Sequence, residues 1–338
     1  MTPVSSPHSV PAPLNRHAAA IAVAGGSFAA FACIGVGVLG LRTYGVFVFL
    51  ATPFVLGAVT GYLLSRNTPA TRSQTVGVAL LTLATISVGL VSVAFEGVVC
   101  LVMSMPVAVP LALAGAFAGR SFAEKREEGP RRLLLSLLIL PAGTVVDSRA
   151  LPDRDAHVVL SVVEIDAPAD RVWENVIEFP PLPEPAGWWF RAGIAYPKYA
   201  SIEGRGVGAI RYCVFSTGPF VEPITAWEPG RRLAFDVTSF PEPMSELSIY
   251  RGVHPPHLNG YLRSRRGEFR LIRLAGGRTR LEGRTWYELD MAPSLYWEAV
   301  TDAVIHSIHR RVLDHIKRES ERTGDPQSPK PVIPAHRR

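Results

Sequence analysis

Charge is missing from long parts of the first half of this chain. Residues 17–41, 43–65, 73–95 and 97–119 contain no Lys, Arg, Asp or Glu. That excludes water-facing helices, which need a charged face opposite their apolar stripe. Acidic residues are scarce there as well: residues 1–150 hold five Asp/Glu against ten Lys/Arg, while residues 151–338 hold twenty-four against twenty-five. Most of the +6 net charge therefore lies in the short loops of the first half. This is an orientation signal and not a nucleic-acid footprint, so no nucleic-acid partner is expected. Cysteine is limited to three residues, Cys33, Cys100 and Cys213. Their spacing fits neither a disulfide framework nor a metal site. No phosphate loop, dinucleotide fingerprint or Ser-His-Asp set is visible. Gly204-Arg-Gly206-Val-Gly208 is glycine-rich but has no helix after it, so it reads as a turn. No cofactor and no metal is expected.

What is present instead is apolar length. Hydrophobic residues make up 48% of the 338, and the mean hydropathy is +0.19. Four runs, Ala18–Leu41, Gly45–Leu64, Val76–Phe95 and Val98–Gly119, each suffice to cross a hydrocarbon core as a helix of ~20 residues. Backbone groups find no water in lipid, so helices are the form available to them. A fifth run, Leu133–Val146, is shorter, follows Arg131 and Arg132 and contains Pro141. It is either a short span or an interfacial helix. Residues 1–17, rich in Pro, Ser and Ala, are expected to be disordered. Gly25, Gly26, Gly35, Gly37 and Gly40 suggest close packing of the first helix. Glu96 is the only acidic residue between 76 and 119. With Gly97 it reads as a hairpin apex at the membrane surface.

The positive-inside rule sets the orientation. Arg16, Arg66, Arg72, Arg120, Lys125, Arg126, Arg131 and Arg132 share one side, which places the N-terminus in the cytoplasm. The second half is extracytoplasmic if the fifth run spans, and cytoplasmic if it does not.

A polar linker, 147–156, precedes a change of period. His157–Ile165 alternates as a strand, and Ala169–Phe179 carries one apolar stripe at helical spacing, with Asp166 as the expected cap. Strands follow near Ala192–Ile202, Gly208–Ser216, Val221–Glu228, Arg231–Thr238, Arg265–Leu274 and Thr279–Leu289. In the last of these, Leu281, Gly283, Thr285, Tyr287 and Leu289 share one face, as expected for a sheet covered on one side. Pro293 opens a helix over Ser294–Glu321, with Trp297, Val300, Val304, Ile305, Ile308, Val312 and Ile316 as its stripe. The tail, 322–338, is expected to be disordered.

The motif Val163-Glu-Ile-Asp-Ala-Pro-Ala-Asp-Arg-Val-Trp173, the strand series and the closing helix resemble the START-like superfamily, also called SRPBCC. That group includes polyketide cyclases/dehydrases, pollen-allergen-like carriers and lipid-transfer domains. The resemblance covers about residues 156–320. It implies a helix-grip fold with an apolar cavity for a hydrophobic molecule, and no shared catalytic residues. The expected architecture is thus an α-helical membrane bundle of four or five spans, residues 18–146, followed by an α+β helix-grip domain, residues 157–321. The partners expected are the bilayer and a hydrophobic small molecule or lipid. The expected role is membrane-anchored binding of that molecule; the alternatives are an enzyme of the cyclase or dehydratase kind acting on an apolar substrate, or non-catalytic structural assembly.

Several residues are candidates for contact with such a molecule. Tyr212 and Tyr287 have hydroxyls that need partners if buried, and Trp297 lies on the stripe of the last helix. Arg211 alternates with Cys213 and Phe215; facing inward it would meet an anionic head group, facing outward it is a surface charge. His254, His257 and Tyr261 share a proline-stiffened loop, which reads as a gate or as a plain exposed loop. Asp302, His306 and His309 share one side of the last helix, either as a metal group or as a solvated face.

Overall fold

The computed structural model describes residues 13–40, 45, 47–125, 130–131, 156–185, 187–245 and 260–322. The fifth apolar run, His254, His257, the linker up to residue 155 and the tail from residue 323 lie outside the described residues. The chain divides into two units, with the main boundary between Leu151 and Pro152.

The first unit is helical. Helix α1 spans Arg16–Ile34, α2 Thr52–Ser65, α3 Arg72–Ser92 and α4 Val98–Glu124. Wider π-type turns extend α1 over Gly35–Gly40 and lead into α2 over Phe47–Ala51. Among the described residues, four helical stretches are long and apolar enough to cross a membrane: Arg16–Val38, Val48–Ser65, Arg72–Ser92 and Val98–Glu124. The start of α1 corrects the expected disordered segment at its inner end. Asn15 caps the helix, accepting from the backbone N–H groups of His17 and Ala18, so Arg16 and His17 are helical. Thr71 and Gln74 form a reciprocal capping box at the start of α3. Between α3 and α4 the chain reverses at Ala94, whose φ is +55°, which puts Glu96 in the turn. Helix α4 continues through Pro106 and Pro110.

This unit is apolar on its outside as well as in its core, unlike a water-soluble bundle. Phe28, Val88, Val93 and Leu81 point outward, while the hydroxyls of Thr60 and Thr82 are buried and bond back to the carbonyls of Leu56 and Val78. Two spaced glycine pairs bring α2 and α4 together. A methyl group at Gly57 or Gly61 would overlap the carbonyls of Ala112 and Ala116, and one at Gly115 or Gly119 would overlap those of Phe54 and Ala58. The contact is reciprocal backbone against backbone, which only small residues permit. Of the glycines expected to matter on α1, Gly25 and Gly26 face α2, whereas Gly35 has open space where a Cβ would stand.

The second unit is a seven-stranded antiparallel sheet closed by one long helix. Its strands are β1 His157–Ile165, β2 Pro197–Glu203, β3 Ile210–Phe215, β4 Gly218–Glu228, β5 Arg232–Asp236, β6 Leu262–Arg273 and β7 Thr279–Leu289. Helix α5 spans Ala169–Ile177, the short α6 Trp188–Arg191 and α7 Ser294–Glu321. The strand order is β1-β7-β6-β5-β4-β3-β2. Register shifts in β2, β4 and β6 let the sheet bend. The bend brings both edge strands to α7. On β1, the Ser161 hydroxyl meets His306; on β2, the Pro197 carbonyl accepts from Arg311. A sheet that grips one helix with both edges is the helix-grip architecture. Its core joins Ile165, Val172, Phe179, Leu233, Leu281, Leu313 and Ile316.

Three expectations are corrected here. Asp166 does not cap α5: Pro168 holds the cap position without a side-chain bond, and the Asp166 backbone N–H donates to Glu321 instead. The strand expected from Ala192 begins at Pro197, because Trp188–Arg191 forms a helical turn and Gly193 takes a φ of +119°. The expected stripe of α7 is only partly its buried side. Trp297, Val312 and Ile316 are buried, but so are Thr301, Leu313, His315 and Ser320.

Candidate functional site

Two groups of polar side chains lie on the inward face of the sheet. The first is built on β3 and β4. Along β3, Arg211, Cys213 and Phe215 are buried, while Tyr212 is only half-buried on the opposite face. Tyr212 and Arg211 therefore cannot line one interior, since successive side chains of a strand point to opposite sides. Arg211 is 1% exposed. Its guanidinium lies 5.4–5.6 Å from the ring centroids of Phe179, Phe235 and Phe269. Its Nε donates to the Ile177 carbonyl at 3.1 Å, and its Nη1 pairs with the carboxylate of Glu222, the cross-strand partner of Arg211 on β4.

A charge in such surroundings needs a counter-charge, because desolvation of an isolated ion is costly. Burial pushes the Glu222 carboxyl up, and Arg211 pulls it back toward the charged form. Burial works against the Arg211 charge, and Glu222, with a smaller contribution from the Cys213 side chain, more than restores it. Burial and the nearby Glu222 push the Cys213 thiol up to about 12, so it is an inert neutral group. Among the described residues, two buried atoms here have no hydrogen-bond partner: Nη2 of Arg211 and Nε2 of His315. The His315 ring stands edge-on to Phe179 at 5.9 Å, and burial lowers its pKa. Gly267 opposes Phe235 across β5 and β6. A Cβ there would run into the Phe235 ring, so the glycine is what allows that ring to lie over the sheet.

The second group joins β1 and β7 to α7. Ser161 Oγ lies 2.7 Å from His306 Nδ1 and 3.0 Å from His309 Nδ1. Thr285 Oγ1 lies 2.8 Å from His309 Nε2. Ser161 has a single hydroxyl proton, so at least one of the two imidazoles must donate to it from Nδ1. Burial and the adjacent His306 lower the His309 pKa to about 4, so this ring is neutral at pH 7. Beside it, the fully buried Tyr287 donates from its hydroxyl to Asp302 Oδ1 at 2.7 Å. Burial first, and that bond second, push the Tyr287 phenol well above its ordinary range. His157 stacks on Tyr287 at 5.5 Å and pairs with Glu298 at 3.2 Å.

The side of α7 carrying Asp302, His306 and His309 is thus turned toward the sheet. Asp302 and His309 engage sheet hydroxyls, and His306 reaches Ser161 from the exposed rim. Trp297 is buried one turn earlier, edge-on to Tyr296. Tyr261 stands at the start of β6, where its carbonyl accepts from the Asp290 N–H. The sequence reading did not single out Glu222, Ser161, Thr285 and His315. Alternation along β1, β4 and β7 does mark the first three as inward once the phase of each strand is known.

The fold and these two interior groups define the class: an apolar helical bundle carrying a helix-grip domain with a polar, aromatic-lined interior. No family model and no curated protein sequence matches the chain. Among solved structures it is similar to a structural-genomics protein from Nitrosospira multiformis, at 19% identity over 48% of this chain and 96% of that one, with a TM-score of 0.32. It is also similar to the Zhui aromatase/cyclase from Streptomyces sp. R1128, at 18% identity over 49% and 94%, TM-score 0.31. A third is the norcoclaurine synthase of Thalictrum flavum, at 11% over 50% and 96%, TM-score 0.32. The helix-grip description rests on this chain's own strand order and on the two sheet edges meeting α7.

Proposed function

We propose that this chain is a membrane-anchored binding domain for a hydrophobic small molecule or lipid, with its N-terminus in the cytoplasm. The observation that carries the reading is Arg211: a fully buried guanidinium among three phenylalanine rings, with Nη2 left without an acceptor. Buried polar atoms of native proteins are nearly always satisfied, so an orphan donor in an apolar interior is a place for a ligand acceptor. Glu222 already balances the charge. The fitting group is therefore a neutral oxygen, such as a carbonyl or hydroxyl, on an otherwise apolar molecule. A carboxylate would leave one negative charge uncompensated.

The test is native mass spectrometry of the full chain ejected from detergent, compared with the Arg211→Met/Glu222→Met double variant. Both share the same bundle, so lipid held by the bundle appears in both. An adduct present in the parent chain and missing from the variant is the expected result. Identical adduct patterns would overturn the reading.

A second reading, proton-transfer chemistry of the cyclase or dehydratase kind, is favoured by the Ser161–His306–His309 cluster, which offers a neutral imidazole at pH 7. Incubating the chain in D2O with the molecules it co-purifies with tests it. Deuterium appearing at carbon, and lost in Ser161→Ala and His309→Gln, marks proton transfer; unchanged masses count against it.

A further inference from the structure

The outward face of the sheet, opposite the interior described above, carries an excess of arginine around one groove. The groove has a volume of about 750 Å³ and runs over the ends of β4 to β7. Arg231, Arg232, Arg270, Arg273 and Arg284 line it, against two carboxylates, Glu228 and Glu268. Both carboxylates are already engaged. Glu268 is 7% exposed and holds Arg232 at 2.9 Å, Arg266 at 3.6 Å and Arg284 at 3.8 Å. Glu228 takes Arg232 at 3.6 Å. Two neighbouring carboxylates are also committed, Glu282 to Arg284 at 2.8 Å and Asp170 to Arg273 at 3.4 Å.

What remains is cationic. Among the described residues Arg231 and Arg270 make no ion pair, and the buried Nε of Arg284 has no hydrogen-bond partner. Arg270 lies between Arg232 on β5 and Glu282 on β7 in the register, and that carboxylate is already held by Arg284. Like charges facing each other across a sheet repel, and a bound anion would relieve the Arg232–Arg270 contact. Guanidinium forks match the paired oxygens of a phosphate group better than they match a halide or a single carbonyl. A groove of this volume admits a small phosphorylated molecule or a head group.

We infer that this groove is a binding site for a phosphate-bearing anion, held by Arg231 and Arg270 with Arg284 behind them. Two sources supply that chemistry, a soluble polyphosphate or the head group of an acidic lipid. The site is on the face of the sheet opposite Arg211, so it stands or falls independently of the interior ligand.

All six tryptophans of the chain lie in residues 173–297, so tryptophan fluorescence reports this unit within the intact protein. The experiment melts the full chain, in neutral phosphatidylcholine nanodiscs at constant ionic strength, with increasing inorganic pyrophosphate. Saturable stabilisation is expected. It should weaken on the order of a hundredfold in apparent affinity in Arg231→Gln/Arg270→Gln, the loss of two charge-assisted hydrogen bonds. The comparison variant, Arg278→Gln/Arg280→Gln, removes two cations that pair with Glu164 on the same face, and should bind as the parent does. Without ligand, Arg231→Gln/Arg270→Gln should melt close to the parent, since the relieved Arg232–Arg270 repulsion offsets the lost attraction of Arg270 to Glu282, which separates lost binding from lost folding. Repeating the titration with phosphatidic acid in the nanodisc identifies the source. If the lipid raises the pyrophosphate needed, the head group shares the groove; if it does not, the natural ligand is soluble. Absence of any pyrophosphate effect, or an equal loss in both double variants, overturns the inference.

Discussion

Replacing Arg211 by methionine should be among the most damaging single changes in the second unit, and the damage should depend on pH. The substitution keeps much of the volume among Phe179, Phe235 and Phe269 but leaves Glu222 without its counter-charge. Breaking a buried pair from one side costs about 3–5 kcal/mol. For a unit of this size that is a fall in melting temperature on the order of 10 °C. The unpaired Glu222 carboxyl would then have a folded-state pKa above its unfolded value. Its penalty is full at neutral pH and fades as pH falls toward the unfolded value near ~4.3, where the carboxyl is protonated in both states. The deficit of Arg211→Met relative to the parent should therefore narrow on acidification. Arg211→Met/Glu222→Met should recover most of the loss at pH 7, because removing both charges takes the desolvation penalty away with the attraction. Urea denaturation of the full chain in detergent, followed by tryptophan fluorescence, measures all three. A single variant that loses less than about 1 kcal/mol, or a double variant no better than the single, would refute the reasoning that the pair is dry and mutually dependent.

Other outcomes follow from neighbouring geometry. His309 has a folded-state pKa of about 4 against 6.5, so its contribution to stability is whole above pH 6.5 and is lost as pH falls through 4. The span is worth at most about 3 kcal/mol, and His309→Gln should flatten the parent's stability profile in that window. Tyr287→Phe removes the bond to Asp302 and should cost about 1–3 kcal/mol by the same denaturation assay. Gly57→Leu or Gly115→Leu should separate α2 from α4, at a cost of about 3 kcal/mol or more. Thermal loss of helicity by circular dichroism, with unchanged tryptophan fluorescence, is the expected signature.

The parts of the fold that the sequence revealed were those governed by local period. Uncharged runs announced the four membrane-length helices. Strict alternation located β1 and β7 to the residue, and a proline followed by an apolar stripe located α7. The pairs Gly57/Gly61 and Gly115/Gly119 carry the same kind of signal, since spacing by four is the signature of close helix contact, whereas the glycine-dense stretch of α1 is only partly a contact face. Site assignments were harder because they depend on partners far along the chain. The sequence placed Asp302, His306 and His309 together correctly on one side of a helix. What the two histidines face is Ser161, 145 residues from His306, while Asp302 meets Tyr287, and no local pattern reports that. For Arg211, alternation offered two faces and could not choose between them. The choice is made by Glu222 on the next strand and by the bend that carries three aromatic rings over the pair. The arginine groove was hidden for the same reason: Arg231, Arg232, Arg270 and Arg284 read as scattered surface charges until three strands lie side by side.

The pairing of β1 with β7 bears on how the second unit is made. Within this unit β1 is synthesised before α7, yet both lie against β7, and among the described residues β1 pairs with no other strand. As the chain leaves the ribosome, β1 must wait more than a hundred residues for its neighbour, with Val159 and Ile165 uncovered. Closure has to be a late, concerted event that joins the ends of the unit. Until then the nascent domain presents an open edge, and chaperone occupancy or aggregation during synthesis should be concentrated in that interval.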